Sequence, residues 1–298
     1  MDEPAYMSSW SGRSAAAVLT RRGKVAALRL ARLGGWVARP ALYPGPRLAP
    51  AAEHFPFLLH RASIPLARDD SATHPAFQAG KRVNVSLAAP SFDGLLVEAS
   101  RPFSFWRALG RVSERDGYRH GMELNGGCVV PAVGGGLCLI SNALFDMAAR
   151  LGWTILERHG HTAEVAPAAP SLGPVLDATV FYPYVDLRFA PRAGRVRLEV
   201  RVCGDVLEVS ARADQPHRVR TVLRRVDERV ERHDGELIRH DRILRRVLEV
   251  ESGAVLEESV VAVNRKRVSE LSHAGRNCYT CGQTECRMRP EFLRGQAR

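Results

Sequence analysis

The chain has 298 residues, of which 45% are apolar and 25% charged, so it is long enough and apolar enough for one large domain or two modest ones with a real core. Its formal charge is +11, from 43 Lys and Arg against 32 Asp and Glu, and the excess is Arg spread along the chain, which argues against a nucleic-acid footprint gathered in one block. No run reaches the ~18–20 apolar residues that span a bilayer, no apolar core follows the first basic residues as in a secretory leader, and six cysteines with three at the far end are not a secreted disulfide framework; a cytoplasmic, reducing compartment is the expectation.

Residues 1–19 are small and polar. Residues 20–39 read as a basic amphipathic helix. Val25, Leu28, Leu33 and Trp36 can share a face, with Arg21, Arg22, Lys24, Arg29 and Arg32 around the rest. The preferred reading packs this helix on the domain; the sharper one is peripheral membrane contact through residues 20–39 on an anionic surface. Pro40, Pro44, Pro46 and Pro50 then form a linker, so residues 1–51 make one unit.

Residues 52–194 mix helix and strand. The pattern predicts a short helix from Val83 to Phe92, a buried strand at Leu95–Val97 and a core aromatic knot of Phe103, Phe105 and Trp106. The clearest helix runs from Leu137 to Leu151, with Ile140, Leu144, Phe145, Met147, Ala148 and Leu151 at helical spacing. Strands are predicted at Trp153–Glu157 and Asp177–Tyr182. From 195 to 264, Val196, Leu198, Val200 and Val202 alternate with charges, and Asp234–Gly235 marks a hairpin, so this stretch reads as an antiparallel meander. Residues 265–298 are a polar, Cys-rich tail. The fold class is α+β.

The chemistry gathers at Gly134, Gly135, Gly136, Leu137 and Cys138. Glycine loses the most freedom on folding, so three in a row are retained where the backbone needs positive φ or a close approach. The turn delivers Cys138 to the first turn of a helix, where the dipole favours the thiolate. A cysteine acyl-transfer enzyme also needs a base and a group to orient it. His159 and His161 follow, then Asp177, an order shared with papain-like and transglutaminase-like folds. Backbone N–H groups at Gly134–Gly136 are candidates for an oxyanion hole. His161 is favoured over His159 as base, because the Thr162–Val165 run can hold it on a strand. Against this stands a structural reading, in which Cys138 simply packs and the histidines bond locally; a metal held by Cys138 and both histidines is a lesser alternative.

In the tail, Cys278, Cys281 and Cys286 have zinc-knuckle spacing, and His273 is the nearest fourth ligand. Zinc is the expected cofactor there; none is expected at Cys138.

Several motifs together resemble the VanW family: Phe103–Ser104–Phe105–Trp106, Gly117–Tyr118, Asn125–Gly126, Gly134 through Asn142, Glu157–Arg158–His159–Gly160–His161, Asp177–Ala178–Thr179–Val180 and Asp186–Leu187, over roughly residues 52–215. The resemblance implies a cell-envelope connection, through the family's place in glycopeptide-resistance clusters, rather than a reaction. One departure is Leu139, where the family pattern has Gln. Two functions are carried forward. The first is a Cys–His–Asp acyl-transferase or amide hydrolase acting on a peptide or peptidoglycan-precursor-like substrate. The second is a non-catalytic accessory or binding module of envelope metabolism with a structural zinc knuckle. Nucleic-acid binding ranks third.

Overall fold

The computed structural model describes residues 15–67, 75–125, 128–162, 176–233 and 236–268. The zinc-knuckle residues Cys278, Cys281, Cys286 and His273, and the predicted Asp234–Gly235 turn, lie outside these.

Helix α1 (Ala15–Ala38) precedes the proline linker. Then follow β1 (Phe57–Pro65), α2 (Pro75–Ala88), β2 (Leu96–Glu98), β3 (Phe103–Ser104), α3 (Phe105–Leu109), β4 (His120–Asn125) and β5 (Cys128–Val133). Next come α4 (Cys138–Arg150), β6 (Thr154–Glu157), β7 (Arg188–Ala190), β8 (Arg195–Cys203) and β9 (Val206–Ala213). The long strands β10 (Val219–His233), β11 (Glu236–Glu249) and β12 (Val255–Val268) close the described chain. The strands pair antiparallel in four sheets, ordered β1-β9-β8-β2, β3-β7-β6, β4-β5 and β10-β11-β12. This is an α+β architecture.

The core lies around α4, which buries Ile140, Leu144, Phe145, Met147 and Ala148. The aromatic knot is in the core as expected. Phe103 stacks on Phe189 at 4.5 Å between ring centres, and Phe105 meets Phe92 at 4.8 Å. Burying aromatic groups of this size supplies much of a core's stabilisation.

Three expectations are corrected. The alternating run from 195 is not one meander, for β8 and β9 join β1 and β2 while β10–β12 form a separate sheet. Val196, Leu198 and Val200 are buried, and Pro216, which has no N–H to offer a ladder, lies in the break between the two sheets. The predicted helix at 83–92 begins earlier, at Pro75, and gives way to a 3-10 turn at Ala89–Ser91. Residues 177–182 are not a strand: apart from a bridge between Phe181 and Val185, the segment is irregular. The backbone groups of Ala178 are bonded to side chains of α4, and the Thr179 N–H donates to the His159 carbonyl at 2.8 Å, so no ladder forms here. Asn142 Oδ1 accepts from the N–H of Ala178 at 2.7 Å, and Ser141 Oγ donates to the Ala178 carbonyl at 2.6 Å.

Candidate active site

Cys138 is the first residue of α4 and is half-buried. The turn before it has the conformation its glycines suggested. Gly134 and Gly136 have φ of 77° and 96°. A Cβ on Gly136 would lie 2.4 Å from Lys81 Cγ, and one on Gly135 would lie 2.4 Å from the carbonyl carbon of Gly121. The turn is thus pressed against the backbone of β4 and against α2. Asn84, fully buried in α2, holds it there: Nδ2 donates to the carbonyls of Gly135 and Arg119, both at 2.9 Å, and Oδ1 accepts from the Arg119 N–H at 2.7 Å.

His161 and Asp177 come together at this helix end. The carboxylate Oδ2 of Asp177 accepts from both the His161 backbone N–H, at 2.7 Å, and ring Nδ1, at 2.9 Å. That bond fixes the ring orientation and leaves its other nitrogen for Cys138, with which the imidazole interacts. The sulfur also lies 3.8 Å from Thr179 Oγ1 and receives the Val180 N–H. His161 is not on a strand. Its loop is tied to β12, where the Arg267 N–H donates to the Thr162 carbonyl at 2.8 Å.

Charge around Asp177 is unusually positive. Arg158 Nη2 and Lys266 Nζ both reach Oδ1, at 3.0 and 2.8 Å, and all three groups are largely buried. Arg158 is steadied by Asn264, itself bonded to buried Asp241. Two cations on one carboxylate leave a net positive charge beside a thiol–imidazole pair.

The titration behaviour follows. Burial would raise the Asp177 pKa, but His161, Arg158 and Lys266 hold it well below the usual carboxylate range. Burial would lower His161, yet its bonds to Asp177 and Cys138 push it up to about 9. Burial would raise the Cys138 thiol; pairing with His161, the Val180 N–H and the Thr179 hydroxyl more than offset this and lower it. The arrangement favours an imidazolium–thiolate pair.

His159 does not join this group. Its ring bonds Glu157 Oε1 at 3.2 Å, and Glu157 is clamped by Arg32 of α1 at 2.5 and 2.8 Å. Beside them Asp186 is raised to about 6, mainly by burial and partly by the nearby charge of Glu157. Among the described residues no group of three His, Cys, Asp or Glu is arranged to hold a metal. The oxyanion expectation is also narrowed: the N–H of Gly134 donates to the Arg119 carbonyl and that of Gly135 to Ala132, at 3.1 and 2.8 Å.

Asn84, Asn142, Thr179, Arg158 and Lys266 are site residues to which the sequence assigned no role, although Asn142, Arg158 and Thr179 stand inside the motifs that resemble the VanW family. A second signal was available: the chain has only three lysines, Lys24, Lys81 and Lys266. In so Arg-rich a chain a lysine is notable, and Lys81 and Lys266 are both buried at the site.

A family model described as VanW like protein matches residues 80–211. This segment is a VanW-family domain. It contains the glycine turn, Cys138, His161 and Asp177, and ends before Asn264 and Lys266. The chain aligns with the vancomycin B-type resistance protein VanW of Enterococcus faecalis at 30% identity over 135 residues, 45% of this chain and 49% of that protein. It aligns with YoaR of Bacillus subtilis at 35% identity over 106 residues, 36% of this chain and 34% of that protein. The chain thus spans about half the length of the first relative and a third of the second. No solved structure matches.

Proposed function

We propose that this VanW-family protein is a cysteine-dependent acyl-transfer or amide-hydrolysing enzyme, acting on a peptide of the peptidoglycan-precursor kind. The observation that carries the reading is the convergence of Cys138, His161 and Asp177 at the N-terminus of α4. The Cys138 thiolate attacks the substrate carbonyl, forming a C–S bond and a tetrahedral oxyanion. The N–H groups of Gly136 and Cys138, which the turn's own bonds leave over, are the donors proposed for that oxyanion. The His161 imidazolium gives its proton to the departing amine as the C–N bond breaks, leaving a thioester. Water or an acceptor amine then attacks, His161 takes its proton, and the thiolate is expelled. Asp177 orients the ring throughout. The substrate class is supported by the resistance named for the Enterococcus relative.

Site-resolved mass spectrometry after iodoacetamide treatment at about pH 6 tests the nucleophile, because an activated thiolate alkylates fast where an ordinary thiol does not. Cys203, which is exposed, is the internal reference. Cys138 is expected to react well ahead of it, and equal or slower reaction of Cys138 argues for the second reading. In that reading the domain is a non-catalytic accessory module, a role favoured by Leu139, an apolar residue packed on the core beside the cysteine.

A further inference from the structure

Among the described residues, helix α1 is seated on the domain through the side that carries Arg32 and Trp36. Arg32 bonds Glu157, Trp36 meets Tyr182 edge-on at 6.3 Å between ring centres, and Arg107 lies over the Trp36 ring at 5.2 Å. These contacts fix which side of the helix turns outward. The outward residues are not the predicted set, since Val25 and Trp36 turn inward while Leu28 and Leu33 remain exposed. At 3.6 residues per turn, Ala26, Leu30, Leu33, Gly34 and Val37 fall in one sector of about 100°. That sector is open: Leu30 is 71% and Val37 84% exposed, and nothing lies within 4 Å of a Cβ built on Gly34. It contains no charged residue, while Lys24 and Arg29 fall on either side of it.

The surrounding charge says what covers this face. From residue 15 to residue 52 there are seven Lys and Arg and no Asp or Glu. Among the described residues, Arg32 pairs with Glu157 and Arg29 lies over the Tyr184 ring at 6.0 Å. Two copies of such a face would bring like charges together. An apolar strip bordered by cations suits a surface whose interior is apolar and whose headgroups are anionic. No described helix is long and apolar enough to cross a membrane, so the contact is with the surface.

We propose that α1 docks this protein on anionic bilayers, with Leu30, Leu33 and Val37 entering the headgroup boundary. The proposal does not depend on the chemistry of Cys138. It is tested by co-sedimentation of the full chain with vesicles containing phosphatidylglycerol, against vesicles of phosphatidylcholine alone. Wild type is expected to bind the first and not the second. The double substitution Leu30→Glu/Val37→Glu is expected to weaken binding at least ~10-fold. Its melting temperature should not change, because both side chains are exposed; Leu30→Ala/Val37→Ala gives a smaller loss in the same direction. Failure of wild type to bind anionic vesicles overturns the proposal. So does binding that salt abolishes but the double substitution leaves intact, which would be charge attraction alone. A dimer that the double substitution dissociates, with no vesicle binding by either form, would assign the face to a second copy.

Discussion

Replacing Asp177 with Asn removes the group on which the proposed site is balanced. In the wild type the carboxylate accepts two bonds from His161 and faces two buried cations, Arg158 and Lys266. In Asp177→Asn the His161 imidazolium loses its counter-charge and meets those cations across a buried space. Its pKa should fall from about 9 to the ordinary 6.5 or below, a change of at least ~3.4 kcal/mol in the balance between its protonation states. Without an imidazolium, Cys138 loses what offsets its burial, and its alkylation at about pH 7 should slow at least ~10-fold. Stability carries the same signature. Asp177, whose pKa is depressed, stabilises the fold above its unfolded value of 3.8, and this is lost as pH falls. His161, whose pKa is raised, contributes fully below 6.5, and this fades as pH rises to about 9. The gap in unfolding free energy between wild type and Asp177→Asn should therefore be widest between about pH 4 and 6.5 and narrow toward about 9. At its widest, two stranded buried cations should cost ~3–5 kcal/mol. If Asp177→Asn does not fold, Asp177→Asn/Lys266→Met removes one stranded charge and should recover part of the loss. The assays are NMR titration of the His161 ring, site-resolved alkylation, and denaturant unfolding across pH. A folded Asp177→Asn whose His161 still titrates near 9, with Cys138 alkylation unchanged, would refute the proposed relay.

Lys266→Met alone should leave Arg158 on the carboxylate but take one cation from beside the thiolate. The alkylation midpoint of Cys138 should then rise by ~1 pH, while Lys266→Arg stays close to wild type; a midpoint that does not move would make Lys266 a packing residue only. Gly135→Ala puts a methyl into the backbone of Gly121, where no side chain can yield. It should cost at least ~2–3 kcal/mol by chemical unfolding, whereas an alanine at open Gly23, inside α1, should stabilise the helix by ~0.5–1 kcal/mol. The zinc proposal for Cys278, Cys281, Cys286 and His273 is checked by metal analysis of the purified chain. About one zinc per chain is expected, lost in Cys281→Ser; a metal-free wild type would reject it.

The aromatic knot, helix α4 and the glycine turn were legible in the sequence, because each rests on local rules. Helical spacing marked the buried face of α4, and three adjacent glycines marked a turn that no side chain could occupy. The order of Cys138, His161 and Asp177 was legible too. The segment carrying Asp177 reads as a strand because Val, Thr and aromatics favour strands, whereas the backbone of Ala178 bonds Ser141 and Asn142 and that of Thr179 bonds the His159 carbonyl. That competition between a ladder and helix side chains leaves no trace in periodicity.

The sequence by itself determined that a cysteine would stand at a helix N-terminus behind an inflexible turn, with imidazole and carboxylate groups following. Only the tertiary structure decided which histidine faces the thiol. They are two residues apart and chemically alike, but Asp177 holds the ring of His161 while Glu157, itself paired with Arg32, holds that of His159. It alone brought Lys266 from β12 to Asp177, across 89 positions of chain. It also decided which side of α1 is free. The helical repeat allows more than one apolar face, and the Arg32 and Trp36 contacts select among them. Contacts between residues far apart in the chain depend on how several elements pack at once, and no local pattern encodes that.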